Sequence, residues 1–438
     1  MLAYVSRLRE VNPILNAVAE DYGEKALNRA QEIDVILQKS SEDERQEIYK
    51  KQPLLGIPFT CKDLYDIEGT KTTWGTWNRR DNVSNHTHVV IQTMIDAGAI
   101  PLAKTTVPEG CVFIESVNPI QGTTNNPYDT RRNAGGSSGG EAALNGVYGF
   151  KPSVGAFPKA DLVGNPVEPL WNCFGPLCRY AEDVELMLKL FCTGERSSHV
   201  KSAEHFVIKD FLVPIDIPTP WIAKNTAENQ KIAGEVAKVL SAEYDVPVGT
   251  IDVSPMKSDY IDVYIANYDA YPTKQNLPEA LKSRMLAAGK KNFHAITEIP
   301  KWLLGKSKHY LAAILLFHFF KRKYTDTERD LYVLKLEKQI VHFRKLLSNN
   351  KFIIQPSWPN LAGFHHAELS TPSLGHTAIY NLLDLPAIAC PVGLNDGGLP
   401  LSVTVIGPYG SEWKLLEIAK KLEELYSGWK EPGSKKHH

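Results

Sequence analysis

Ala134-Gly135-Gly136-Ser137-Ser138-Gly139-Gly140-Glu141 is the stretch on which the reading of this chain turns. Four glycines flank two serines, and residues without a Cβ permit backbone angles and close approaches that other residues exclude. Glu141-Ala142-Ala143-Leu144 follows in helix-forming residues. The loop would therefore open a helix and direct its N–H groups at an anion. The spacing is neither GxxxxGK[ST] nor GxGxxG, so nucleotide binding is not indicated. A flexible Gly/Ser linker is the plain alternative, but it would sit between apolar segments that read as structured.

Upstream, Gly56-Ile57-Pro58-Phe59-Thr60-Cys61-Lys62-Asp63 places a lysine at the end of an apolar strand, Leu54 to Cys61, opened by Pro53. A desolvated lysine loses affinity for its proton and can act as a base. On this segment alone, an exposed lysine paired with Asp63 is the simpler reading. Val89, Met94 and Ile95 predict a helix ending at Gly98, and Ile100 to Ala103 a second strand. Further upstream, Ala26, Ala30, Ile33 and Leu37 recur at helical spacing, after Pro13 in the first turn of a stretch holding Leu15 and Val18. Lys39 to Lys51 reads as a polar linker. Downstream, residues 201–350 are helical and charged. Phe352 to Gln355, Ile388 to Cys390 and Leu401 to Ile406 read as strands, the last after an Asn395-Asp396-Gly397-Gly398 turn. Leu415, Ile418, Ala419 and Leu422 form a final amphipathic helix. This alternation predicts an α/β protein with a largely parallel sheet.

Composition sets the class. Of 438 residues, 49 are Lys or Arg and 50 Asp or Glu, a net charge of −1 that offers no electrostatic case for nucleic acid. Hydrophobic residues at 43% and charged residues at 23% exclude disorder and coiled coil. Six cysteines make no disulfide framework and show no zinc spacing. Met1 leads straight into Arg7, Arg9 and Glu10, with no apolar signal region. Tyr310 to Phe320 is too short to span a bilayer. With Lys321-Arg322-Lys323 after it, it is either an interfacial helix or a buried helix with a basic last turn.

Lys62 in its strand and the glycine-serine loop together resemble the amidase signature family. The likeness covers most of the chain: Asn12-Pro13 with Leu15-Asn16-Ala17, Asn125 to Asp129, Gly149 to Ser153, Gly175-Pro176 before Arg179, and Asn381 to Ala387. Leu399-Pro400-Leu401, Ile406-Gly407-Pro408 and Tyr426 to Trp429 resemble a branch that hydrolyses lipid amides. The resemblance implies a single α/β domain over 1–438 with a mixed β-sheet sandwiched between helices. Within it would lie an N-terminal helical region 1–50, a glycine/serine core 51–195, a variable helical region 196–350, and C-terminal strands and helix 351–430. It further implies a Ser-Ser-Lys triad working without metal or cofactor. Lys62 would be the buried base and Ser137, behind a cis peptide after Gly136, the bridging serine. Gly135, Gly136, Ser138, Gly139 and Gly140 would support the loop. A small lipid amide is the implied ligand, with no nucleic acid, and with peripheral membrane contact and a homodimer both open. The implied location is cytoplasmic or on a membrane surface.

The nucleophile that this resemblance calls for, in a Gly-Gly-Ser-(Ile)-Arg segment that also forms the oxyanion hole, is absent. Leu144 is joined directly to Asn145-Gly146-Val147-Tyr148, with both flanks in register. The clean edges suggest one excision, and the expectation is an impaired or inactive amidase. The alternatives are a lipid-binding or regulatory pseudoenzyme, and an amidotransferase A-like subunit that would need partner chains. Ser153, Cys61 and Ser138 are the substitutes to consider. Cys61 adjoins Lys62, but neighbours on a strand face opposite sides. His365, His366, Glu368 and His376 lack metal spacing. Trp74, Trp77, Trp302 and Trp358 are either an acyl channel or ordinary packing.

Overall fold

The computed structural model describes residues 1–145, 148–158, 173–215, 223–254, 259–270, 295–319, 324–367, 373 and 375–434. Contacts group the chain into two compact units, residues 1–144 with 278–319, and residues 145–277 with 320–438.

Along 1–144 the elements are α1 (Leu2–Leu15), β1 (Val18–Asp21), α2 (Gly23–Lys39), α3 (Glu42–Lys51), β2 (Pro58–Lys62), α4 (Val89–Asp96), β3 (Ile100–Thr105), β4 (Val117–Asn118), β5 (Gly122–Thr123) and α5 (Gly139–Asn145). Pro13 falls inside α1 near its end, not in a first turn, and Val18 belongs to a strand. The segment read as a polar linker is largely helix α3. Ser41 accepts the Glu44 N–H while the Glu44 carboxylate accepts the Ser41 N–H, a reciprocal cap that needs no apolar face. In the sheet order β1-β3-β2, β3 runs parallel to β2 and antiparallel to β1. Val5, Leu8, Ala26, Ile33, Ile100 and Leu102 form its core. Burying such side chains contributes about 1.5–3 kcal/mol each, which is what holds α1 and α2 against β3.

The second unit begins with β6 (Tyr148–Lys151), β7 (Leu177–Cys178), α6 (Ala181–Phe191), β8 (Asp210–Pro214), α7 (Ala227–Tyr244), β9 (Val248–Ile251) and α8 (Tyr260–Ala270). The chain then returns to the first unit for α9 (Ala295–Leu303) and α10 (Leu311–Phe319). It closes the second with α11 (Asp326–Leu347), β10 (Lys351–Pro356), α12 (Gly375–Leu382), β11 (Ala387–Leu394), β12 (Pro400–Ile406) and α13 (Glu412–Tyr426). The seven-stranded order is β7-β6-β11-β12-β10-β8-β9. Only β8–β9 and β8–β10 are parallel there; β10–β12, β11–β12, β6–β11 and β6–β7 are antiparallel. The largely parallel expectation is therefore corrected to a mixed sheet. Tight turns such as Asn395–Gly398, whose 398 N–H donates to the 395 carbonyl, allow antiparallel neighbours without a crossover. Central strand β10 is buried from Phe352 onward, so its apolar run shows no alternation.

Phe320 and Lys321-Arg322-Lys323 lie outside the described residues; in the first turn of α10, Ala312, Ala313 and Ile314 of the greasy run are buried. The exposed apolar residues lie just before it, with Trp302, Leu303 and Leu304 at 38%, 71% and 70% exposure. Among the described residues, no helix is long and apolar enough to cross a membrane.

Candidate active site

Lys62 is the last residue of β2 and pairs in register with Thr105 at the end of β3. Its Nζ donates to Ser137 Oγ at 3.0 Å, although 75 residues separate the two. The Gly136–Ser137 peptide is cis. Both side chains are half-buried, so the full burial expected of Lys62 is not found: at a strand end its long side chain keeps one flank toward solvent.

Glu141 ties the loop to the strands. Its Oε2 accepts from Thr60 Oγ1 at 2.7 Å and its Oε1 from Thr105 Oγ1 at 2.9 Å. Thr60 lies two residues before Lys62, on the same face of β2. One carboxylate thus fixes the first turn of α5 against both strands that frame the lysine. The backbone closes in as well: Gly140 N–H donates to Thr106 O at 3.2 Å, and a Cβ on Gly140 would lie 2.5 Å from Thr106 N and 2.7 Å from Ala17 O. On Gly136 a Cβ would lie 2.6 Å from Phe113 O. Upstream, Asn133 Oδ1 accepts the Gly135 N–H, and Asn133 O accepts from Asn126 Nδ2. Glu141, Thr60, Thr105 and Asn133 were not singled out by sequence. For Thr60 the available signal was its two-residue offset from Lys62.

The anion site expected at the start of α5 is not formed as foreseen. Gly139 N–H donates to Ser116 Oγ at 2.9 Å and Gly140 N–H is taken by Thr106 O, because the loop packs tightly on residues 105–116. α5 also has only seven residues. Ser138 supports the loop through its carbonyl, which accepts the Ala142 N–H.

The alternative partner of Lys62 has other work. Asp63 is 1% exposed and its carboxylate accepts the Thr73 N–H at 2.9 Å and the Thr73 hydroxyl. Burial pushes its pKa up to about 6, against the lowering effect of those bonds. Cys61 is buried beside Tyr22, Ile67 and Ile91, and burial raises its thiol far above the usual range. That keeps it a thiol, which is a poor nucleophile. In the second unit, Ser153 N–H donates to Glu412 Oε1 at 2.7 Å and its Oγ accepts the Gly410 N–H, a structural engagement. His376 is 1% exposed and its Nε2 lies 2.7 Å from Pro356 O; Glu368 falls outside the described residues. Among the described residues, no group of three or more His, Cys, Asp or Glu could hold a metal. Trp74 is buried under the Arg79 guanidinium, 3.8 Å from its ring, with its Nε1 donating to Leu64 O. Trp77 lies beneath Arg80 and Lys308, Trp302 is exposed, and Trp358 stands 6.4 Å from the His376 ring.

Set against known proteins, the chain matches the amidase family profile over residues 1–144 and again over 142–416. The two stretches meet where Leu144 joins Asn145. Fatty-acid amide hydrolase 2-A of Danio rerio is 31% identical over 467 aligned positions, which cover 98% of this chain and 86% of that protein. That aligned length exceeds the 438 residues present here, so the relative carries positions without counterpart in this chain. Fatty-acid amide hydrolase 2 of Homo sapiens is 30% identical, with the same shares of 98% and 86%. A crystal structure of an amidase superposes with a TM-score of 0.71 at 22% identity, covering 97% of this chain and 95% of that one, and so shares the mixed α/β fold.

Proposed function

The chain belongs to the amidase family, and from that premise we propose that it recognises lipid amides as fatty-acid amide hydrolase 2 does, with amide turnover severely impaired. The observation that carries the reading is the junction. The family profile is matched in two stretches that meet at 142–144, and the two compact units divide between residues 144 and 145. On this reading Lys62 is the base and Ser137 the bridging serine, brought into hydrogen-bonding distance, while the segment that supplies the family's nucleophile and oxyanion donors is missing between them and Tyr148.

In subtilisin, removal of the nucleophile costs on the order of a million-fold in kcat. We expect a comparable loss for hydrolysis of a long-chain fatty-acid amide, measured beside active human fatty-acid amide hydrolase 2. Retained displacement of a fluorescent fatty-acid amide would identify a lipid-binding protein on an amidase scaffold. Turnover within about a hundredfold of the active enzyme would refute the impaired reading, since loss of one oxyanion donor alone costs that much. Transcripts reading an in-frame Gly-Gly-Ser-Ile-Arg block between the Leu144 and Asn145 codons would mark this chain as a shortened form.

Peripheral membrane contact is proposed on a separate observation. Trp302, Leu303 and Leu304 are exposed side by side, with Lys301, Lys306 and Lys308 exposed around them. An apolar wedge ringed by ammonium groups is complementary to an anionic lipid surface.

A further inference from the structure

We propose that Lys62 and Ser137 act by themselves as an acyl-transfer dyad, with Ser137 the nucleophile toward activated esters. The pair needs nothing from the missing segment: Lys62 Nζ and Ser137 Oγ are 3.0 Å apart in one compact unit, both half-buried and so within reach of a small reagent. Lys62 Nζ meets Ser137 Oγ directly, so the oxygen it would activate is Ser137 Oγ itself. Donors for a developing oxyanion are present beside it. Among the described residues, the N–H groups of Gly136, Ser137 and Ser138 have no acceptor, whereas those of Gly135, Gly139 and Gly140 are all engaged. Access is open on the upstream side, since Gly136 is exposed and a Cβ placed on Gly135 would meet nothing within 4 Å.

The chemistry balances on the groups present. Neutral Lys62 Nζ takes the Ser137 hydroxyl proton as Oγ bonds to the acyl carbon. The carbon–oxygen bond to the leaving group then breaks, and the Lys62 ammonium returns the proton to the departing alkoxide. Water, deprotonated by Lys62, releases the acid and restores Ser137. An ester suits this dyad better than an amide. A phenolate leaves readily and an alkoxide can take its proton as it departs, but an amine must be protonated before the bond breaks, and a single lysine would have to hold the proton until that moment.

A short-chain fluorophosphonate tests the dyad apart from the lipid reading. Ser137 Oγ displaces fluoride from phosphorus and its proton passes to Lys62. The expected result is one adduct per chain, mapped by mass spectrometry to Ser137, absent in Ser137→Ala, and formed at least about a hundredfold more slowly in Lys62→Met. The wild-type rate should also rise with pH, as attack by a serine that relies on a general base requires, which checks the base without a variant that could misfold. An adduct at another residue, no adduct on the folded chain, a pH-independent rate, or Lys62→Met labelling at the wild-type rate would each overturn the proposal. Protection by a fatty-acid amide reads the proposed ligand class separately. Labelling of Ser137 without such protection leaves the dyad standing and removes the lipid assignment.

Discussion

Replacing Glu141 by alanine should loosen the strands around Lys62, and the structure sets the size of the effect. The carboxylate, 7% exposed, accepts one hydroxyl from Thr60 and one from Thr105. Hydrogen bonds to a charged group contribute roughly 1.5–3 kcal/mol each, so losing both could cost about 3–6 kcal/mol. Two features reduce that. Thr105 Oγ1 already lies 3.3 Å from Cys61 O, a second acceptor to which its proton can turn. Thr60 is half-buried, so water can reach its hydroxyl, and a costly buried charge disappears with the side chain. The net loss expected is therefore about 2–3 kcal/mol for Glu141→Ala, and about 1 kcal/mol for Glu141→Gln, which keeps one acceptor.

Cys61 provides the readout, because it is buried in β2 between Thr60 and Lys62. When opening of β2 is a pre-equilibrium, its alkylation rate scales with the open population, so 2–3 kcal/mol corresponds to roughly thirty- to 160-fold faster labelling at residue 61. This site-resolved measurement suits a chain with two compact units, whose global unfolding is not bound to be two-state. Labelling accelerated by less than about threefold in Glu141→Ala would show that Glu141 does not clamp the strands. Equal effects of Gln and Ala would show that the charge, not the acceptor geometry, matters.

Gly140→Ala should destabilise by about 1–3 kcal/mol, because its Cβ meets backbone atoms of Thr106 and Ala17; hydrogen exchange of α5 and β3 would report it, and unchanged protection would refute the close approach. The Asp63 pKa, about 6 folded against about 3.9 unfolded, makes the folded state hold a proton that the unfolded chain has lost. Stability should thus fall as pH rises from about 4 to 6, by up to about 3 kcal/mol, and then level off. Asp63→Asn should remove that slope in urea titrations at each pH, and a variant that tracks the wild type would count against it. Replacing Trp302, Leu303 and Leu304 by serine should weaken binding to vesicles containing anionic lipid by more than tenfold, about 1.4 kcal/mol, while equal sedimentation of variant and wild type would exclude the patch.

What could be read in advance follows the range of each signal. α4, ended by Gly98, and β10, a short apolar run, were legible because their cues are local. α3 was missed because it has no buried residue, although Ser41 and Glu44 spell its cap. Strand direction failed for another reason: alternation of elements does not say which strands become neighbours. β10 lies between β8, parallel to it, and β12, antiparallel. Lys62 and Ser137 were named together only through the family resemblance, since nothing in their spacing announces a 3.0 Å contact. Glu141 was passed over because a glutamate after glycines reads as a solvated helix start. Its burial depends on Thr60 and Thr105, which come from two other strands.

Glu109 gives the first unit a timetable. This carboxylate is 1% exposed, and its oxygens are met by His309 Nδ1 at 2.5 Å and the Tyr310 N–H at 2.7 Å, 200 and 201 residues further along. During synthesis at about 5–20 residues per second, those partners leave the ribosome some 10–40 s after Glu109 does. Through that interval the nascent first unit must keep Glu109 hydrated, while the contacts of the glycine loop with residues 105–116 can already form. The second unit's first strands are translated in the meantime. Burial of Glu109 is thus a late event in the life of the chain, and slowing the ribosome between codons 145 and 308 lengthens the window in which chaperones and proteases find that carboxylate uncovered.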